Sequence, residues 1–252
     1  MPDHKLIGSA IKKTDIRFDL QLIADLVEEN SKVLDIGCGS GDLLEYLKTH
    51  KKADCRGLEL SQSDVSLSLS KGISVMQGDA ENDLAYYPDN IFDYAILSQT
   101  LQATKRPDEI VQQMLRVAKY AIISFPNFAH YKNRFYLSAF GKMPVSKTLP
   151  YQWFNTPNIH FCSIKDFKEL CTNLNFEIKN RVYLTNNSKL SPLLGNRFTA
   201  NLFAEYGLFL VTKNEVKVAG EHQLSKNSKK AFSGVKKFNP TLARDGKWGF
   251  YY

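Results

Sequence analysis

Apolar positions along this chain fall into helical and strand spacings that alternate. Ile16, Leu20, Ile23 and Val27 recur at helical intervals and predict an amphipathic helix that Glu28-Glu29-Asn30-Ser31 brings to an end. An apolar run over 32–36 predicts a first strand, and Leu43, Leu44 and Leu47 predict the inner face of a helix over about 41–50. The alternation then repeats, with a strand over Cys55–Leu60, a polar, serine-rich helical stretch over 61–72 and a short strand over Ile73–Met76. Phe92–Leu97 is apolar enough to be buried on both faces, as a central parallel strand is. A helix over 107–118, with Ile110, Met114 and Val117 inward, leads to a fifth strand at Tyr120–Phe125. Ser163 and Asp166 have capping-box spacing ahead of a helix that carries Phe167, Leu170 and Leu174, and two last strands are predicted within Phe176–Leu184 and Leu202–Thr212. The pattern is α/β: a Rossmann-like, seven-stranded, mostly parallel sheet with helices on both faces and a ligand at the C-terminal strand ends.

The first strand runs into Asp35-Ile36-Gly37-Cys38-Gly39-Ser40-Gly41, after which Asp42 opens the helix. Glycine at every second position permits backbone conformations closed to other residues, and without a Cβ the main chain can lie directly against a ligand. Asp35 would repel a phosphate and suits a cationic or hydroxyl-bearing ligand. A dinucleotide fingerprint also sits in a strand–turn–helix unit, but its third glycine falls three residues after the second, and here Gly41 falls two after Gly39. The acid-x-Gly-x-Gly-x-Gly spacing resembles motif I of the class I S-adenosylmethionine-dependent methyltransferases. Nicotinamide or flavin binding, and a glycine turn with no ligand, remain as competing readings.

Glu59 closes the second strand 24 residues after Asp35, where this architecture brings a strand end beside the glycine loop. A carboxylate there can accept from both ribose hydroxyls of an adenosine, each such charge-assisted bond being worth about 1.5–3 kcal/mol. Leu60 follows it. Asp79 stands where these methyltransferases hold the adenine amino group, with the Ala80 amide reaching a ring nitrogen, although Gly-Asp is also a common turn. Ser98 and Gln99 end the fourth strand, which in this superfamily faces the methyl group. The candidate cofactor residues are thus Asp35, Gly37, Cys38, Gly39, Gly41, Glu59, Leu60, Asp79, Ala80, Ser98 and Gln99. Neither an Asn-Pro-Pro-Tyr nor a Pro-Cys sequence follows the fourth strand, so base methylation of those two types is not indicated.

The stretch 126–162 is longer than a crossover requires and reads as an insertion. Tyr131, Phe135, Tyr136 and Phe140 predict a short aromatic helix, and the proline-rich run that follows carries Tyr, Trp, Asn and His, the residue types of a pocket wall or an interface. Charge modifies the picture at one end only. From Asn214 to Tyr252 there are seven Lys and one Arg against two Glu and one Asp, a net +5 of the chain's +7. The body is nearly neutral, which argues against nucleic-acid binding, and the 214–252 tail reads as basic and flexible. Cys38, Cys55, Cys162 and Cys171 lie far apart with no Cys-x-x-Cys pair, so neither zinc nor a disulfide framework is suggested, and reduced thiols in the cytoplasm are expected. No apolar stretch has membrane-spanning length.

Beyond the glycine loop, Glu59 and Gly78-Asp79, the segments Ser98–Gln102, Ser124–Phe128, Leu149–Trp153 and Thr156–His160 together resemble the MetW family of methionine biosynthesis proteins, from about Ile16 to Lys213. The glycine loop is generic, whereas the Pro-Tyr-Gln-Trp and Thr-Pro-Asn-Ile-His segments are distinctive. A leader over 1–14 and the tail depart from the family pattern, leaving a domain over 15–213. The resemblance implies an S-adenosylmethionine- or S-adenosylhomocysteine-binding partner of homoserine O-acyltransferase in a hetero-oligomer, with the segment 143–160 touching that partner or transmitting occupancy to it. The alternative is a methyltransferase acting on a small polar metabolite, in which Tyr151 or His160 would take a proton.

Overall fold

The computed structural model describes residues 16–185, 188–191 and 199–214. The predicted leader over 1–14 and the basic tail beyond Asn214 lie outside the described residues.

The described residues begin with α1 (Phe18–Leu26) and β1 (Lys32–Ile36), then alternate α2 (Asp42–Lys51), β2 (Asp54–Glu59), α3 (Gln62–Ser70), β3 (Ser74–Gln77), the short α4 (Ala80–Asp83), β4 (Phe92–Ser98), α5 (Pro107–Val117) and β5 (Ala118–Pro126). After α6 (Tyr131–Phe140) an irregular segment leads to α7 (Ile164–Asn173), β6 (Phe176–Thr185), β7 (Ser188–Lys189), α8 (Ala200–Phe203) and β8 (Tyr206–Lys213). One sheet holds all the strands of the described residues, in the order β3-β2-β1-β4-β5-β8-β6-β7. The first five are mutually parallel, β8 runs antiparallel to β5, and β6 is antiparallel to β8.

The sheet has one strand more than the seven expected, because two residues, Ser188 and Lys189, fold back on Leu184 and Thr185. A two-residue strand is too short for alternation to be visible in sequence. The predicted last strand also began too early. Ala200–Phe203 is a single helical turn, and its apolar residues resemble a strand over so short a window.

Apolar layers cover both faces of the sheet. On one, Leu97, Ile123, Phe125 and Phe209 meet α5 and α7 through Ile110, Met114 and Phe167. On the other, Val33, Ile96, Ile122 and Leu208 meet α1 and α2 through Ile23, Leu44 and Leu47. Each such side chain contributes about 1.5–3 kcal/mol by leaving water. The capping box at the start of α7 forms, with the Ser163 hydroxyl accepting from the Asp166 amide and the Asp166 carboxylate accepting from the Ser163 amide. Pro107 stands in the first turn of α5, where its missing N–H costs nothing.

Strand order reverses at β1, whose neighbours are β2 on one side and β4 on the other. In open α/β sheets the crevice at such a reversal, outside the C-terminal strand ends, is where ligands bind.

Candidate functional site

At this crevice Gly37, Gly39 and Gly41 adopt φ values of +70°, +54° and +77°, the left-handed region that favours glycine. Their surroundings differ. A Cβ on Gly37 would lie 3.1 Å from Thr100 Oγ1, and one on Gly41 would lie 2.8 Å from Ser68 Oγ, so these two allow the chain to pack against itself. A Cβ on Gly39 would meet no atom within 4 Å. Its bareness faces open space, as close approach by a ligand requires. The loop is held by hydrogen bonds from the Gly37 amide to Leu58 O (2.7 Å), from the Gly41 amide to Cys38 O (3.0 Å) and from the Ser68 hydroxyl to Gly39 O (2.9 Å).

Two carboxylates flank the loop. Glu59 Oε2 accepts from the Gly39 amide at 2.8 Å and Glu59 Oε1 from the Ser61 amide at 2.9 Å, which fixes the side chain beside the loop. Each oxygen keeps a second lone pair for a hydroxyl donor. Asp35 is buried on β1, and its Oδ1 has no hydrogen-bond partner. Burial, and secondarily the Glu59 carboxylate, push its pKa up to about 8. An unpartnered buried carboxylate is costly and places latent negative charge beneath the loop. Burial, then Asp35 and Glu59, push the Cys38 thiol up to about 12. Its Sγ would lie 2.6 Å from a Cβ on Gly57, so Cys38 packs under the loop against β2.

Leu60, just past Glu59, is 69% exposed. Asp79 is the N-cap of α4: its Oδ1 accepts from the Glu81 amide (3.0 Å), its Oδ2 from Asn82 Nδ2 (2.9 Å), and its own amide donates to Asp83 (2.7 Å). These bonds orient the Asp79 carboxylate, and Ala80 is the first residue of the helix it caps.

At the end of β4 the Ser98 hydroxyl lies 3.3 Å from that of Ser124. Gln99 has φ +56°, rare for a residue with a side chain. Its amide donates to Ser124 O (2.9 Å), its Nε2 donates to Asp19 Oδ2 (2.8 Å), and its carbonyl accepts from Gln102 Nε2 (2.7 Å). Such strain persists only where neighbours enforce it, and is concentrated at functional sites.

Beside Gln99 lies a cleft of about 340 Å³ whose charged and polar lining includes Arg17, Asp19, Lys147, Glu205 and Tyr206. Reading the sequence missed these residues. Arg17 and Asp19 precede or begin an ordinary amphipathic helix, Glu205 and Tyr206 lie at the start of β8, and Lys147 belongs to the irregular segment; only the fold joins them.

The two proton-transfer candidates sit on that segment. The Ile159 and His160 amides both donate to Gln102 O (2.9 and 3.0 Å), and His160 Nε2 lies 3.2 Å from Lys105 O. Tyr151 is half exposed and lines an apolar cavity with Phe128, Met143, Leu149, Trp153 and Phe161. No contact joins either residue to the glycine loop among the hydrogen bonds of the described residues.

Sheet order, left-handed glycine loop and strand-end acid define an architecture of the S-adenosylmethionine-dependent methyltransferase type. A solved structure of a SAM-dependent methyltransferase from Archaeoglobus fulgidus superposes with a TM-score of 0.56, covering 77% of this chain and 91% of that one. The two are 17% identical, so the likeness is one of fold. The family described as methionine biosynthesis protein MetW matches residues 17–211, and the chain belongs to it. The chain is 34% identical over 177 residues to the bifunctional methionine biosynthesis protein MetXA/MetW of Rhodopirellula baltica, a match covering 67% of this chain and 28% of that protein. It is 28% identical over 185 residues to norajmaline N-methyltransferase of Rauvolfia serpentina, covering 68% of this chain and 62% of that one. The chain therefore spans less than two thirds of either curated relative. Among the described residues no helix is long and apolar enough to cross a membrane.

Proposed function

We infer that this chain binds S-adenosylmethionine or S-adenosylhomocysteine at the glycine loop and serves as an accessory subunit of a homoserine O-acyltransferase. The observation that carries the ligand half is the open main chain at Gly39 beside a Glu59 carboxylate already anchored to it. The residues fit the group: Glu59 offers acceptors to the ribose hydroxyls, exposed Leu60 offers an apolar surface to the base, and buried Asp35 favours positive charge. Asp79 and Ala80 would hold the adenine edge, and Ser98 and Gln99 would border the methionine end.

The partner half is supported by the R. baltica relative, whose name joins MetXA and MetW in a single chain. A route between ligand and partner runs through Gln102. Its side chain donates to the Gln99 carbonyl, while its main-chain carbonyl accepts from Ile159 and His160 on the irregular segment. For occupancy to regulate a partner, the ligand must bind the two states with different affinity. The test is to assay the acyltransferase alone and with this chain, with and without S-adenosylmethionine. The expected result is activation by the chain that changes with the ligand; an acyltransferase rate unaffected by the chain refutes the reading.

One observation favours a second reading, methyl transfer to a small polar molecule. The charged cleft beside Gln99 could seat an acceptor, and one relative is an N-methyltransferase. When bound, S-adenosylmethionine supplies a methyl group activated for in-line displacement, and the chain's part would be to position the acceptor. Tyr151 and His160 stand as candidates to take a proton only if the irregular segment turns them toward the cleft. Labelled cofactor incubated with pools of polar metabolites should then give a labelled product; persistent absence of one removes this alternative.

A further inference from the structure

The segment from Phe128 to Cys162 turns a large apolar surface outward. Trp153, Phe135, Phe154 and Phe140 are 75%, 70%, 69% and 62% exposed, and Phe161 and Ile159 are more than half exposed. Large apolar side chains left exposed in such number on one segment point to an interaction site. The same segment lines a cavity of about 260 Å³ with Phe128, Met143, Leu149, Tyr151, Trp153 and Phe161. That is below the usual range of roughly 300–1,000 Å³ for small-molecule pockets, and suits a single inserted side chain. Charge on the segment has one sign: residues 128–162 contain Lys132, Arg134, Lys142 and Lys147 and no Asp or Glu.

We propose that this face is the docking surface for the homoserine O-acyltransferase, receiving a bulky apolar side chain of that enzyme into the cavity while an acidic rim on the enzyme meets the four cations. The assignment rests on the partner reading above, for which the relative that joins MetXA and MetW in its name is the support. Buried aromatic anchors surrounded by a charged rim are how protein interfaces distribute their energy. An anionic membrane is the competing occupant. Helices that lie on membranes gather their apolar residues on one side, whereas those of α6 at Tyr131, Phe135, Tyr136, Leu137 and Phe140 are spread around it. The face is also tied to the ligand site, because Ile159 and His160 hang from Gln102.

The experiment measures binding of the purified acyltransferase from the same source to the full chain by biolayer interferometry. The variants are Trp153→Ala with Phe154→Ala, Lys142→Glu with Lys147→Glu, and Tyr86→Ala as an exposed aromatic control remote in sequence. Both double variants remove only exposed side chains, and unchanged circular dichroism and melting would confirm their folding. The proposal expects each double variant to weaken binding by about tenfold or more and the control to leave it unchanged. Wild-type binding that both double variants preserve overturns the surface assignment while leaving the partner reading intact. A wild-type chain that does not bind the enzyme overturns both. Sedimentation with phosphatidylglycerol vesicles, or concentration-dependent self-association abolished by Trp153→Ala, in a chain that ignores the acyltransferase would reassign the face to a membrane or to a second copy.

Discussion

The Gln102 side chain donates from Nε2 to the Gln99 carbonyl at 2.7 Å, joining the strained residue at the end of β4 to the turn on which the irregular segment hangs. Its Oε1 is buried without a partner, so this amide is held in place at a cost in free energy. Gln102→Leu removes the unpartnered oxygen and the link to Gln99, and leaves the main-chain bonds from Ile159 and His160. Losing the unpartnered oxygen offsets the cost of leaving the Gln99 carbonyl without its donor, so the expected outcome is stability within about 1–2 kcal/mol of wild type, and ligand affinity within about threefold of wild type. On the proposed accessory role, acyltransferase activation should persist but no longer respond to S-adenosylmethionine. Calorimetry and a coupled activity assay separate these effects; a response of wild-type size would show that the coupling runs elsewhere.

The glycine loop allows fold and binding to be tested separately. Gly41→Ala places a Cβ 2.8 Å from Ser68 Oγ at φ +77°, and should lower the melting temperature by several degrees, about 1–3 kcal/mol of strain and crowding. Gly39→Ala meets no neighbour and should cost only the roughly 1 kcal/mol of a left-handed alanine. If the ligand lies against the loop as proposed, the methyl group would occupy its space, and binding should fall by about tenfold or more, about 1.4 kcal/mol, despite the smaller effect on stability. Differential scanning calorimetry and titration with S-adenosylhomocysteine check both orderings.

Elements with a strong local period were legible in the sequence. The five parallel strands, the α5 face of Ile110, Met114 and Val117, and the Ser163 capping box appear where spacing put them, within one or two residues. The α8 turn and β7 were not legible because two to four residues carry no period. At the site, the glycine spacing and the strand-end position of Glu59 were readable because their chemistry is local. The cleft was not: Arg17, Lys147 and Tyr206 are distant in sequence and converge only through the packing of α1 on the sheet and the antiparallel return of β8. The unpartnered state of Asp35 Oδ1 was likewise invisible, since it depends on what fails to surround the residue.

Asn127, in the Ser-Phe-Pro-Asn-Phe segment that shares in the family resemblance, illustrates a motif residue whose bonds are spent on the fold. Its Nδ2 donates to Asn201 O (3.0 Å) and Ala204 O (2.8 Å), and its Oδ1 accepts from the Ala129 amide (3.1 Å), tying α8 to the end of β5. Only 1% of it is exposed. Asn127→Ala strands buried carbonyls at about 1–3 kcal/mol each. The expected result is a marked fall in melting temperature with affinity for S-adenosylhomocysteine unchanged at temperatures where the variant is folded. A loss of affinity without a loss of stability would assign Asn127 to the site instead.

The raised pKa of Asp35 has a direct consequence for pH dependence. Unfolded, the carboxyl titrates near its ordinary value of about 4; folded, burial and then Glu59 raise it to about 8. Between those values the folded chain holds a proton that the unfolded chain has released. This group's contribution to stability is therefore fully present below about pH 4, declines as pH rises, and is lost above about pH 8. Asp35→Asn should flatten that decline and narrow the stability difference between neutral and alkaline pH. Glu59→Gln removes the second cause and should move the decline to lower pH. Positive charge bound above the loop favours the ionised carboxylate, so binding of the sulfonium compound should release a proton. Its affinity should then rise between about pH 6.5 and 8.5, while that of S-adenosylhomocysteine, which lacks the sulfonium charge, rises less. Parallel titrations across that range, with Asp35→Asn losing the difference, would place the charge response on this residue. Identical pH profiles for the two ligands in the wild-type chain would show that Asp35 does not sense the sulfur.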